Sequence, residues 1–308
     1  VCVFFVLSGD ALSSGYWAGA GDRWVVRLAV KRYLRLTVPI LASCVLVWAA
    51  LASGLAVHVE AGHRVGSSGW LSTFATFPPD FLRMVGYALV HVYTDVPHEA
   101  AYNPFLWTMR EELRGSFLVF FLLLLSSHLR RPLWVLVGVA ALTLGLRSYM
   151  GCFVVGMLYA YVRQQGLFAA LWTRPAVMAL SWAGLAALVP GAGYLHVEDW
   201  HYDDGTQLFV AIALVGLVFS NRAVSGFFGN SVSQLLGRLS FPLYLVQFPV
   251  LITVTSGLIL RMPDFSAPMV WAVAVVSVAA CLGAALLFER VERPTAALGA
   301  RLAGLLLR

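Results

Sequence analysis

Long apolar runs separated by short polar breaks set the pattern of this chain. Spans are read at about 36–57, 104–127, 133–146, 149–162, 176–195, 206–220, 243–260 and 268–288, after an opening apolar stretch, VCVFFVLSGDALSSGYW. The runs are continuous rather than alternating, which is the mark of helices and not of barrel strands. Where no water reaches the backbone, helices satisfy their own polar groups. The expected fold class is therefore all-α, a polytopic transmembrane helical bundle of about nine to ten helices in a single integral-membrane domain over 1–308. The stretch 58–103 differs: it is polar, acidic on balance, and carries an amphipathic piece near 81–93 that reads as an interfacial helix.

Composition sharpens this. Hydrophobic residues make up 60% of the chain and charged residues 12%, well below the roughly 25% charge of soluble domains. Mean hydropathy is +0.81. The net charge of +6 does not point to nucleic acid, because the basic residues sit between apolar spans and act as topology signals. If the segment Arg23 to Arg35 is cytoplasmic, the loops holding Arg130 and Arg131, Arg163 and Arg174, Arg222, and the tail with Arg290, Arg293, Arg301 and Arg308 all fall on the same side. The opposite loops hold Glu60, Asp80, Asp95 and Glu99, then Glu198, Asp199, Asp203 and Asp204. This alternation predicts a multi-pass protein with a cytoplasmic C-terminus, expected in the plasma membrane. Cys2, Cys44, Cys152 and Cys281 stand singly and read as buried small hydrophobes, and no metal-ligand spacing is present. His91, His98, His196 and His201 read as loop residues.

The stretch NPFLWTMREELRGSFLVFF at 103–121 is the energetic exception, with Arg110, Glu111, Glu112 and Arg114 at the mouth of an apolar helix. Charges at membrane depth persist where they pair, line a wet cavity or do chemistry. At about 100° per residue, Trp107, Arg110, Glu111 and Arg114 share one side, and Glu111 and Arg114 form an i,i+3 pair. Glu112 points away from both arginines and needs a partner from another helix, Arg238 for example, or from water or substrate. The loop alternation puts Glu112 toward the outer side, away from Arg32 and Arg35.

Four further features stand in order along the chain: FFVLSG at 4–9, KRYLRLTVP at 31–39, LWTMREELRGS at 106–116, and SFPLYLVQFPVL at 240–251 followed by ERVERP at 289–294. Together they resemble the membrane-bound acyltransferase-3 family, which includes O-antigen and other cell-surface sugar acetyltransferases. The resemblance spans essentially the whole chain. It implies a helical bundle that takes an acyl group, usually acetyl, from acyl-CoA (acetyl-CoA) as co-substrate, with no permanently bound cofactor, and passes it to a hydroxyl or amine, often of a carbohydrate. Arg32 and Arg35 match the family's basic pair, Glu112 its acidic residue after WT, and Glu292 the acidic residue closing the last helix. The chain departs from the family at Gln247, where a histidine is common, and at Asp10, where an aromatic or aliphatic residue is usual. It also opens inside an apolar run, so it is expected to lack the family's first helix and its histidine.

On this reading Glu112 is the catalytic candidate, orienting or deprotonating the acceptor. Arg32 and Arg35 are the donor-binding candidates, because arginine forks suit coenzyme A phosphates, with positive-inside topology as the plainer explanation. Trp107 and Gln247 are substrate-binding candidates, although Trp107 also suits a boundary anchor and Gln247 an interhelical hydrogen bond. Ser8 and Gly9 are read as small residues that let helices approach, since no His–acid arrangement follows Ser8. The expected partners are acyl-CoA, a polar acceptor and the lipid bilayer, and no nucleic acid. The alternative readings are a transporter or lipid-handling membrane protein, and a catalytically inactive family member.

Overall fold

The computed structural model describes residues 1–94, 97–198 and 205–306. Asp95, Asp199, His201, Asp203, Asp204 and Arg308 lie outside the described residues, as do the side chains of His98, His196, Glu198, Glu292 and Arg293. In chain order the helices are α1 (Cys2–Gly15), α2 (Asp22–Ala52), α3 (His58–Arg64), α4 (Phe81–Leu89), α5 (Thr108–Ser126), α6 (Pro132–Gly145), α7 (Met150–Gln164), α8 (Leu167–Leu171), α9 (Pro175–Glu198), α10 (Thr206–Ser220), α11 (Arg222–Phe228), α12 (Ser231–Val250), α13 (Ser256–Arg261) and α14 (Ala267–Leu306). No strand occurs among the described residues, so the fold is all-α as the apolar pattern requires.

Each apolar run of the sequence lies on a helix. The largest difference is at α2, which begins at Asp22 rather than near Leu36. Its basic first half contains Arg, Lys, Leu and Val but no Gly or Pro, so the helix has no reason to break there. Among the described residues, Asp22–Ala52, Ser231–Arg261 and Ala267–Val291 are long and apolar enough to cross a membrane, and α10 with α11 makes a fourth if that pair is one span. The pair is bent by 98°. Asn221 holds the bend: its backbone is extended, its Oδ1 accepts from the N–H groups of Ala223 and Val224 at 3.0 and 3.2 Å, and its Nδ2 donates to Ser181 Oγ at 2.8 Å.

The chain divides into two compact units, Val1–Arg32 with Glu111–Gln234 and Tyr33–Arg110 with Leu235–Arg308. The divisions fall inside α2, α5 and α12.

In the first unit, α1 packs on α7 with the two helices parallel: Gly9 meets Phe153, Val6 and Asp10 meet Gly156, and Arg163 reaches Asp10 and Ser14. The approach is backbone to backbone. A Cβ on Gly9 would strike the Phe153 carbonyl, and one on Gly156 would strike the Val6 carbonyl. Small residues at such crossings let dispersion and weak polar contacts replace the hydrophobic drive that lipid removes. The seam is filled by Phe5, stacked on Phe153 at 5.0 Å, and continues through the buried Val6, Leu12, Val119, Leu123, Met157 and Val215.

In the second unit, a proline frees a carbonyl inside α12 and polar side chains recapture it. Pro249 has no N–H to offer Leu245, and the Leu245 carbonyl accepts instead from Ser43 Oγ at 2.7 Å and Asn103 Nδ2 at 3.4 Å. Phe248 packs edge-on against Phe74 and Phe105. Arg64 closes α13 by donating to the carbonyls of Leu260 at 2.6 Å and of Met262. The amphipathic stretch near 81–93 is α4 followed by a 3-10 turn, His91–Tyr93; α4 is capped by Asp80, whose carboxylate accepts from Arg83 N–H at 2.8 Å, and leaves Phe81 and Leu82 exposed. Cys2, Cys44 and Cys152 are buried.

Gly156→Leu should drive a side chain into α1 and lower thermal stability in detergent by about 1–3 kcal/mol or more. Gly138→Ala in α6, where a Cβ meets nothing within 4 Å, should be neutral or slightly stabilising. Equal loss in the two variants would refute the close-packed α1–α7 seam.

Candidate active site

The carboxylate that the sequence left without a charge partner has one. Arg32 of α2 places Nη2 on Glu112 Oε1, and both side chains are nearly buried, 11% and 12% exposed. Ser8 Oγ of α1 donates to the same oxygen at 2.7 Å. Arg32 Nε donates to Ser116 Oγ at 2.8 Å, and Ser116 in turn donates to the Glu112 carbonyl at 2.5 Å, one turn back along α5. All four residues belong to the first unit.

Local packing explains why these side chains converge. In FFVLSG, Phe5 and Gly9 lie one turn apart and meet Phe153, which leaves Ser8 about 100° round the helix and aimed at α5. On α5, a Cβ on Gly115 would strike the Phe153 ring, so the same aromatic sets the distance of α1, α5 and α7. Glu112, three residues before Gly115, and Ser116, one after it, then flank the Arg32 guanidinium. Burial of the charged pair is offset in part by two further hydrogen bonds, from Ser8 to the carboxylate and from the guanidinium to Ser116.

This geometry corrects the expected separation of the two charges. The loop alternation put Glu112 near the outer face and Arg32 near the other, yet they touch. At about 1.5 Å per residue, Arg32 is about 15 Å along α2 from Asp22, and Glu112 about 21 Å along α5 from Ser126. Loop charges report which side a span ends on, not the depth of a residue inside it. The partner is also not Arg238, which is exposed in the second unit.

The other candidates are placed as follows. Arg35 is exposed and belongs to the second unit. Trp107 ends a 3-10 turn, Pro104–Trp107, rather than sharing the face of α5, because Asn103 caps that turn by accepting from Phe105 N–H at 3.2 Å and α5 starts at Thr108. Trp107 is half-buried in the second unit. Gln247 is half-buried there too, between the buried Val246 and Phe248. Near it, Tyr244 exchanges a hydrogen bond with Thr108 Oγ1 at 2.6 Å and donates to the Phe105 carbonyl. Glu111 and Arg114 form the expected i,i+3 pair at 3.5 Å.

A further charged pair in the first unit joins α1 to α7. Asp10 is buried, and its Oδ2 pairs with Arg163 Nη2 at 2.9 Å. Arg163 also donates to Ser14 Oγ at 2.8 Å, and its guanidinium lies over the Phe219 ring at 5.5 Å. Arg163 therefore does more than mark a loop.

Sequence reading missed Ser8, Ser116 and Arg163 as partners. Ser116 was within reach, since it stands four residues after Glu112. Ser8 and Glu112 are 104 positions apart and Arg163 and Ser14 are 149 apart, so only the fold joins them.

A buried arginine–carboxylate pair with a donating hydroxyl, in an all-α protein with membrane-length helices, defines a membrane protein with an ionisable site at depth. The acyltransferase family described as "Acyltransferase domain" matches residues 1–289, and the chain belongs to that acyltransferase-3 family. No curated protein and no solved structure matches the chain.

Arg32→Met should leave Glu112 as an uncompensated buried charge and destabilise the protein by about 3–5 kcal/mol. The double substitution Arg32→Met with Glu112→Leu should recover most of that loss. Thermal unfolding in detergent measures both, and a double variant no more stable than Arg32→Met would count against the buried pair.

Proposed function

We propose that this protein transfers an acyl group, acetyl in the simplest case, from acyl-CoA to a hydroxyl or amine of a polar acceptor such as a carbohydrate. The observation that carries this reading is the Ser8–Glu112–Arg32–Ser116 cluster in a chain of the acyltransferase-3 family. A carboxylate with a hydroxyl already hydrogen-bonded to it can take a proton from an attacking nucleophile. Glu112 is the proposed base. Arg32 is assigned to hold it, since Nη2 and Nε are engaged by Glu112 and Ser116. The phosphate-binding role foreseen for both arginines then falls chiefly to the exposed Arg35, whose fork suits an anionic donor.

Trp107 and Gln247 are the proposed acceptor contacts. Both are half-buried, one offering an aromatic face and the other an amide with two donors and an acceptor. The protein works in the bilayer, with its C-terminus on the cytoplasmic side by the loop-charge alternation.

Glu112→Gln keeps the shape and removes the base. In membranes holding the complete gene product, with radiolabelled acetyl-CoA, it should cut acyl transfer by roughly 10²–10⁴-fold while insertion stays unchanged. Arg35→Ala should instead raise the KM for acyl-CoA with a smaller effect on kcat. Undiminished transfer by Glu112→Gln would remove Glu112 from the chemistry. No transfer by the unsubstituted protein, together with a Glu112-dependent solute flux, would establish a transporter instead.

A further inference from the structure

We infer that Ser8 is the residue acylated during the reaction, so that transfer proceeds in two steps through an ester on Ser8 Oγ. The inference rests on the acyl-CoA reading above and adds a covalent step to it.

Two hydroxyls, of Ser8 and Ser116, lie against Glu112. Ser116 is fully buried, its proton goes to a main-chain carbonyl of its own helix, and its oxygen accepts from Arg32 Nε. It has neither access nor a base. Ser8 is half-buried, and its hydroxyl donates to Glu112 Oε1, with the two oxygens 2.7 Å apart. Arg32 fixes that same oxygen. A nucleophile on a base, with the base oriented by a third group, is the arrangement that activates serine whatever residues fill the roles. The acid here comes from another helix, far along the chain.

The surroundings favour the same residue. Ser8 cannot swing away with its helix, because Gly9 is in backbone contact with Phe153 and Phe5 is stacked on that ring. The nucleophile therefore rides on a rigid seam, which reduces the ordering cost of reaching an attack geometry.

The chemistry balances with the groups named. Ser8 Oγ attacks the thioester carbonyl carbon while its proton passes to Glu112. The C–S bond breaks, and the thiolate takes that proton and leaves as coenzyme A thiol. An acceptor hydroxyl then attacks the Ser8 ester and gives its proton to Glu112. The C–Oγ bond breaks, and Ser8 recovers the proton. Arg32 is a positioning residue in both halves.

The test uses the complete gene product in membranes or detergent, with acetyl-CoA and no acceptor. An acyl-serine intermediate lets labelled coenzyme A exchange into unlabelled acetyl-CoA without acceptor, and acid quench should leave an acetyl mass on the peptide containing Ser8. Ser8→Ala should abolish the exchange and the mass and reduce transfer by about a hundredfold or more. Ser8→Cys should hold the acyl group as a hydroxylamine-labile thioester, which keeps the test decisive if Ser8→Ala fails to fold. Transfer within about threefold of normal in Ser8→Ala, acyl mass on another residue, or transfer without exchange in the unsubstituted protein overturns the covalent step and leaves the acyltransferase reading standing. Neither transfer nor exchange by the unsubstituted protein overturns both.

Discussion

A carboxylate cannot stay ionised at membrane depth unless other groups replace the water it has lost. Glu112 meets that condition with a guanidinium and a hydroxyl on one oxygen, and these come from α2 and α1 while the carboxylate comes from α5. Three helices are thus held in register by one group. Much else in the first unit serves this convergence. Gly9 and Gly115 bring α1 and α5 against Phe153, and Gly156 brings α7 against α1. Larger residues at these positions would separate the helices before any polar contact formed.

The same helix carries polar residues on two flanks. Ser8 and Asp10 are two residues apart, about 200° round α1, so one faces the Glu112 cluster and the other meets Arg163 of α7. Between them Gly9 keeps the α1–α7 seam closed. Ion pairing thereby fixes rotation as well as position, which apolar packing against lipid-like neighbours does poorly.

Much of the fold was legible in the sequence because bilayer thickness and backbone satisfaction force a helical reading on long apolar runs. The Glu111–Arg114 pair was legible because helical spacing is local. The start of α2 was not, since a run of arginines looks the same as a loop or as a helical turn. The Arg32–Glu112 pair was hidden for another reason: depth along a helix depends on where each span begins, and those beginnings moved. Trp107 fell off the expected face because Asn103 caps a 3-10 turn first, a feature that a uniform 100° projection overlooks.

Asp10 and Glu112, each paired with an arginine of another helix, invite the question of why only one should carry chemistry. Both have an arginine, so charge pairing does not separate them. The hydroxyls do. Ser14 beside Asp10 donates to the Asp10 backbone carbonyl and accepts from Arg163, so its proton is committed to the helix. Ser8 donates to the Glu112 carboxylate itself. Arg163 is 40% exposed and stacked over an aromatic ring, whereas Arg32 is nearly buried and braced by Ser116. Asp10 therefore sits in a latch between α1 and α7, and Glu112 in an arrangement where a proton can move between two side-chain oxygens. The difference lies in where one serine proton points, and the helix phase set by Phe5 and Gly9 decides that.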